Sequence, residues 1–236
     1  MATNLKRIFF GSLLILSIFL FFLFKIEKYF FYFLSILVLC EVYISRIIKS
    51  KIIIHLATIL ISVSIFLFFE SSVILLILSS ITLIILSFFF KNIINPSFTF
   101  TLTLFFLCIC KIYFIDIYLI YLIILISFIN DSVAYVSGRS IKGPLIVPSI
   151  SPNKTWSGTI FSFLISSVLL IYFDYNIFIS FLMASSLFFG DIYFSFIKRK
   201  NNIKDFSNFI PGHGGILDRV DSMVFFTFIL ITINSL

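Results

Sequence analysis

Asp218 and Asp221 stand three positions apart in Asp218-Arg219-Val220-Asp221, so on a helix their carboxylates share a face. Asp191 follows Gly190 at the end of an apolar run. Three such carboxylates converging at one surface repel one another unless a cation lies between them. All-oxygen ligands suit Mg²⁺, which takes a few carboxylates and completes its shell with water and phosphate oxygens. The same spacing suits structural salt bridges from Asp218 and Asp221 to Arg219 or Arg199, and spacing alone leaves both readings open. Asp131, at the foot of another apolar run, can cap a helix, pair with Arg139 or join the acidic cluster.

The cations and turns nearby suit phosphate. Pro211-Gly212-His213-Gly214-Gly215 precedes an apolar helix. Glycines let successive N–H groups point one way, and a helix start adds partial positive charge. His213 can contact a phosphate or aid a leaving group, or it can be a loop histidine without a catalytic role. Ser151-Pro152-Asn153-Lys154-Thr155-Trp156 reads as N-cap and first turn of a helix. Lys154 then opposes the helix dipole, which favours a phosphate partner for it. Lys198, Arg199, Lys200 and Lys204 read by default as a cationic loop, with Lys204 and Asp205 pairing locally. Trp156 reads as an interfacial anchor.

The elements that must position these residues lie in a membrane. The 236 residues are 61% hydrophobic and 11% charged. A water-soluble surface cannot be covered with so little charge. Yet Ser195 to Asp221 concentrates eight charged residues in 27 positions. Charge at membrane depth costs roughly 2.5–3.5 kcal/mol per residue on insertion scales, so such a cluster marks a site. Cys40, Cys108 and Cys110 sit in apolar runs without a nearby His and read as small membrane residues, not zinc ligands or disulfides.

The expected fold is all-α and polytopic, with about nine transmembrane helices. The runs are Ile8–Phe24, Tyr29–Ile44, Ile52–Phe69, Val73–Phe90, Phe98–Cys110, Ile112–Ile129, Thr159–Phe173, Ile177–Phe189 and Met223–Leu236. The first reads as an uncleaved span, because no small-x-small site follows it. Glu41 and Glu70, at ends of early runs, read as interfacial. Placing the N-terminus and alternate loops on one side puts Lys6, Arg7, Arg46, Lys49, Lys51, Lys91, Arg139, Lys142, Lys154, Lys198, Arg199, Lys200, Lys204 and Arg219 there. Lys25, Lys28 and Lys111 fall opposite. The richer side is cytoplasmic by the positive-inside rule. It carries the polar segments Asn130–Gly158 and Gly190–Ser222, and the C-terminus lies outside. The net charge of +7 thus reflects orientation or phosphate-bearing substrates, not nucleic acid. Composition divides one continuous domain into a 1–129 scaffold and a 130–236 working half.

Taken together these residues resemble the phosphatidate cytidylyltransferase family, also called CDP-diacylglycerol synthases. Ser195, Lys198-Arg199, Lys204-Asp205, Ser207, Pro211, His213-Gly214-Gly215 and Asp218-Arg219-Val220-Asp221 fill that family's pattern without a gap. Asn130-Asp131, Ala134-Tyr135, Gly138-Arg139 and Ser151-Pro152 through Trp156 resemble its upstream motifs. Ser157 stands where the family usually has Glu, and the chain is short for the family at the N-terminal end. The resemblance implies conversion of phosphatidate and CTP to CDP-diacylglycerol and pyrophosphate in the inner, cytoplasmic membrane. It implies Mg²⁺, alone or with a second cation, on Asp191 and Asp218, with Asp221 supporting and Asp131 the weaker candidate. Catalytic roles fall to Asp218, Asp221, Lys204, Arg219 and His213. Substrate contacts fall to Lys154, Lys198, Arg199, Ser151, Gly214 and Gly215. A homodimer is implied by resemblance alone. The rivals are a CTP-dependent polyprenol kinase, whose product would be CDP, a transporter, whose polar residues would lie mid-span, and an inactive scaffold.

Overall fold

A computed structural model describes Glu41, residues 94–207 and residues 215–234. The first four expected spans, apart from Glu41, lie outside the described residues, as do Pro211, His213 and Gly214. The described chain is mostly helical. It runs α1 (Ile94–Ile115), α2 (Tyr118–Ile141), β1 (Leu145–Val147), β2 (Ser151–Thr155), α3 (Trp156–Tyr172), α4 (Ile177–Lys200), the short α5 (Leu217–Val220) and α6 (Met223–Asn234).

Apolar runs gave the helices but misplaced their ends. The break in the Phe98–Ile129 stretch falls at Asp116, and Lys111 lies inside α1. An Asp side chain offers the backbone an alternative acceptor. Asp116 Oδ1 accepts from Tyr118 N at 2.9 Å and starts α2. The polar segments expected after Ile129 and Phe189 begin as helix, because α2 continues to Ile141 and α4 to Lys200. Apolarity marks what faces lipid, whereas the backbone ladder continues until something stops it. Lys142 at φ 60 and Gly143 at φ 128, followed by Pro144, stop α2. Asn202 at φ 57 follows the end of α4, whose last turn carries Lys198, Arg199 and Lys200, favourable at the negative end of the helix dipole.

Between α2 and α3 the chain forms a two-stranded antiparallel hairpin, pairing Leu145 with Thr155 and Val147 with Ser151 around a bulge. This corrects the expected helix start at Ser151-Pro152. Both residues are extended in β2, and the N-cap of α3 is Thr155, whose Oγ1 accepts from Gly158 N at 3.2 Å. Lys154 is therefore a strand residue, and the dipole argument for its partner does not apply.

The packing is intimate where helices cross. α2 lies along α3, and α4 contacts both α3 and α6, which also reaches α1. A Cβ on Gly158 would sit 2.7 Å from the Ala134 carbonyl oxygen, so this glycine sets how closely α3 approaches α2. Phe98 of α1 stacks on Phe206 at 5.5 Å between ring centroids, and Phe194 of α4 meets Phe98 edge-on at 5.6 Å. These rings and Cys108 are buried. Buried hydroxyls find partners: Ser127 and Ser222 are 2.7 Å apart, and Ser97 is 3.3 Å from the Tyr193 hydroxyl. Among the described residues, α2 and α4 are long and apolar enough to cross a membrane, and α3 and α6 are shorter apolar helices. With the composition, these make the chain a membrane protein.

Candidate active site

Asp131 of α2 and Asp191 of α4 come thirteen and fourteen residues after the first residues of their helices. At a rise of about 1.5 Å per residue, both lie about 20 Å along them. Each is followed by some fifteen ångströms of helix, on the order of ten residues. Asp131 and Asp191 interact electrostatically, and Lys154 and Arg219 act on Asp131 as well. Lys154 Nζ forms an ion pair with Asp191, and sits over the Phe188 ring at 5.2 Å from its centroid.

The second half of the cluster comes from the turn around α5. Lys198 Nζ lies 2.7 Å from Asp218 Oδ1 and 4.0 Å from Asp221 Oδ2. Asp191 is also within its electrostatic reach. Asp218 Oδ2 accepts from Phe206 N at 3.1 Å and Gly215 N at 3.0 Å. A carboxylate has about four acceptor positions, and Asp218 uses three of them. Asp221 is buried. Its burial, and then the neighbouring Asp191, push its carboxyl well above the ordinary carboxylate range, against the opposing pull of Lys198. Asp221 Oδ1 accepts from Ser222 N at 2.8 Å.

Gly190 makes this convergence possible. A Cβ there would lie 2.7 Å from the Asp221 carbonyl oxygen and 3.2 Å from that of Ser222. The α5–α6 junction can thus rest directly on α4 beside Asp191. Four carboxylates from α2, α4 and the α5 turn alternate with Lys154, Lys198 and Arg219. Among the described residues, no three His, Cys, Asp or Glu side chains come together as a ready-made metal cage, since the lysines stand between the acids. The donor set nevertheless fits a hard cation. It is oxygen-rich and partly buried, with Lys154 and Lys198 paired to its acids.

The other expected site residues are dispersed around this centre. Arg199 donates from Nε to the Ile150 carbonyl at 3.0 Å and from an Nη to that of Ile203 at 3.1 Å, clipping the hairpin turn to the chain leaving α4. Arg139 donates to the Tyr135 hydroxyl at 2.9 Å rather than pairing with Asp131. Ser151 is half-buried in β2, and Arg219 and Lys204 are exposed. Among the described residues no ion pair joins Lys204 to Asp205. Gly215 is buried, and His213 and Gly214 lie outside the described residues. Ser157 donates to the Lys142 carbonyl and so ties the start of α3 to the end of α2.

Comparison with known proteins decides the family. The family model described as "Cytidylyltransferase family" matches residues 5–236. The chain belongs to the cytidylyltransferase family. A phosphatidate cytidylyltransferase of Rickettsia conorii is 36% identical over 129 residues, covering 48% of this chain and 56% of the relative. One from Rickettsia bellii is 38% identical over 122 residues, 45% and 53% of the two chains. One from Helicobacter pylori is 40% identical over 105 residues, 41% and 39%. The chain spans about half the length of the curated relatives it matches.

One residue of this family member escaped the sequence. Glu41 was expected at an interface with water, but it is fully buried. Its carboxylate accepts from Ser207 Oγ at 3.0 Å, Ile216 N at 2.9 Å and Leu217 N at 3.0 Å. The only available signal was an acid beside Cys40 in an apolar run. A carboxylate in such a run needs donors, and these lie 166 residues and more along the chain.

Proposed function

We propose that this protein transfers the cytidylyl group of CTP to phosphatidate, giving CDP-diacylglycerol and pyrophosphate. Family membership supports the reaction class, and the relatives' names support the lipid acceptor. The observation that carries the reading onto these residues is the alternation of Asp131, Asp191, Asp218 and Asp221 with Lys154, Lys198 and Arg219 where the later halves of α2 and α4 meet the hairpin and the turn around α5.

The chemistry explains the alternation. An oxygen of the phosphatidate phosphate bonds to the α-phosphorus of CTP. The bond from that phosphorus to the α–β bridging oxygen breaks, and pyrophosphate leaves with the electron pair. Two anions must meet, and unit charges 4 Å apart repel by about 4 kcal/mol at an effective dielectric of 20. Lys154, Lys198 and Arg219 neutralise phosphate oxygens as they approach. Asp191 and Asp218, with Asp221 supporting and Asp131 alongside, would hold Mg²⁺. Asp218 brings its one remaining acceptor position. When bound, the metal supplies charge neutralisation on the nucleotide phosphates. No covalent nucleophile is needed, because the lipid phosphate itself attacks. The acyl chains lie against the exposed apolar faces of the helices, and CTP enters from the polar side.

The nine-span arrangement, a cytoplasmic site, the inner membrane and a homodimer complete the proposal. The deciding experiment incubates the purified full chain with CTP, Mg²⁺ and phosphatidate in detergent and scores both products. Liponucleotide and pyrophosphate in equal amounts support it. Release of CDP with a phosphorylated lipid would reassign the chain to phosphoryl transfer, and no CTP consumption would reject the reading.

A further inference from the structure

We propose that Glu41 is a positioning residue for this reaction. It holds the two backbone segments that fix Asp218, and so sets the geometry of the Asp218–Lys198 pair. The inference rests on the cytidylyl-transfer reading, although the contact it invokes can be measured without activity.

The argument begins with hydrogen-bond donors. The first N–H groups of a helix have no partner within it. The residue before α5, Ile216, caps it with no side chain. Glu41, from elsewhere in the chain, takes over at the start of α5, while Asp218, within α5 itself, serves the neighbouring segments. Asp218 accepts from Phe206 N and Gly215 N. Glu41 accepts from the very next groups, Ser207 Oγ on one segment and Ile216 N and Leu217 N on the other. The two acids thus lace the same pair of segments together at adjoining positions. Asp218 also holds Lys198 at 2.7 Å. It cannot serve the Ile216 and Leu217 amides without giving up part of that set.

Gly215 supports the same conclusion from the opposite side. A Cβ at this position would run into Glu41 Oε1, so glycine makes room for the carboxylate. Both Glu41 oxygens already accept from protein donors, which sets this residue apart from a metal ligand or a base. Phe206 completes the arrangement. Its buried ring is stacked on Phe98 and lies under Lys198 Nζ, 5.4 Å from the ring centroid. It therefore anchors one of the laced segments in the helix core.

Glutamine can reproduce the contact without the charge. Its carboxamide oxygen can face the Ile216 and Leu217 amides while its NH₂ donates to Ser207 Oγ. Alanine removes all three bonds. The test compares Glu41→Ala, Glu41→Gln and Gly215→Ala, each as the purified full chain. Hydrogen exchange is read at Ile216 and Leu217, and kcat and KM for CTP are measured separately. In Glu41→Ala the two amides should lose about tenfold in protection while α3 keeps its own. Turnover should fall at least about tenfold with KM for CTP held within about threefold, and Glu41→Gln should recover most of the turnover.

Unchanged exchange in Glu41→Ala overturns the proposal, as does normal turnover despite lost protection. Glutamine as damaging as alanine also overturns it, because the charge itself would then be required. If Glu41→Ala cannot be purified, Gly215→Ala decides. Lost protection at Ile216 and Leu217 with reduced kcat supports the contact, and wild-type values for both reject it. A wild-type chain inactive with CTP and phosphatidate, yet showing the exchange change, would reject the reaction and uphold the clamp.

Discussion

Asp218 and Asp221 have the same side chain, three residues apart, in opposite circumstances. Asp218 accepts hydrogen bonds from an ammonium and two amides. Asp221 is buried close to Asp191, and its carboxyl titrates well above the usual range because burial and then that neighbour disfavour its charge. A raised carboxylate pKa means that the folded state favours the proton, so ionisation at neutral pH weakens the fold. Asp221→Asn should therefore melt above the wild type in chelator at pH 7. The advantage should grow toward higher pH and vanish in acid, where Asp221 takes up its own proton. Thermal melts of the detergent-solubilised protein across that pH range check the sign. The same variant should lose CTP-dependent product. Asp218→Asn should also lose it, by about a hundredfold or more if it removes transition-state charge stabilisation, while the protein still inserts. Near-normal product from Asp218→Asn would remove that residue from the proposed cation site. These acids were legible because charge is scarce in this chain. Glu41 was not, because nothing local to residue 41 reveals donors that arrive from residues 207, 216 and 217.

Helices were legible where side chains face lipid and illegible where they face one another. The apolar pattern stopped at Ile129 and Phe189, but α2 and α4 go on for about twelve more residues each. Their continuation carries the acids that meet across the site, and hydropathy reads those residues as loop. The hairpin was missed for a different reason. Ser-Pro is a good helix start, but Pro152 is equally at home in an extended strand, and Thr155 offered a cap nearer the apolar run. Thr155→Ala should cost α3 about 1 kcal/mol by loss of that cap, visible as faster exchange at Gly158. Gly190→Ala is the sharper test of how elements build the site. The added methyl would press on the Asp221 and Ser222 carbonyls, and overpacking of this kind costs about 1–3 kcal/mol. The α5–α6 junction must move off α4 and take Asp221 with it. Turnover should drop more than stability does, which paired melting and activity measurements separate.

At the scale of the whole molecule the decisive fact is direction. α2 and α4 both run toward the acidic cluster, carrying Asp131 and Asp191 in their later halves. The hairpin reverses the chain, and α3 leads away from the cluster before α4 returns to it. α6 departs from Asp221 and Ser222. A crossing α6 would carry the residues after it to the side opposite the site's cations. This parity depends only on the described helices, whatever the number of spans before residue 94. It agrees with the separation of Lys and Arg along the sequence, from which we propose a cytoplasmic site. A phosphatase reporter that works only outside the cytoplasm, fused after Leu236, should be active. The same reporter inserted in the hairpin turn at Ser149 should be silent. Because α6 has 12 residues, about 18 Å of helix, it is shorter than a straight crossing of about 30 Å. The junction at Asp221 must then lie below the level of the α4 end, or the bilayer must thin there. Moving the reporter in from Leu236 toward Asn234 locates the outer edge, and a silent reporter at both positions would mean that α6 does not cross.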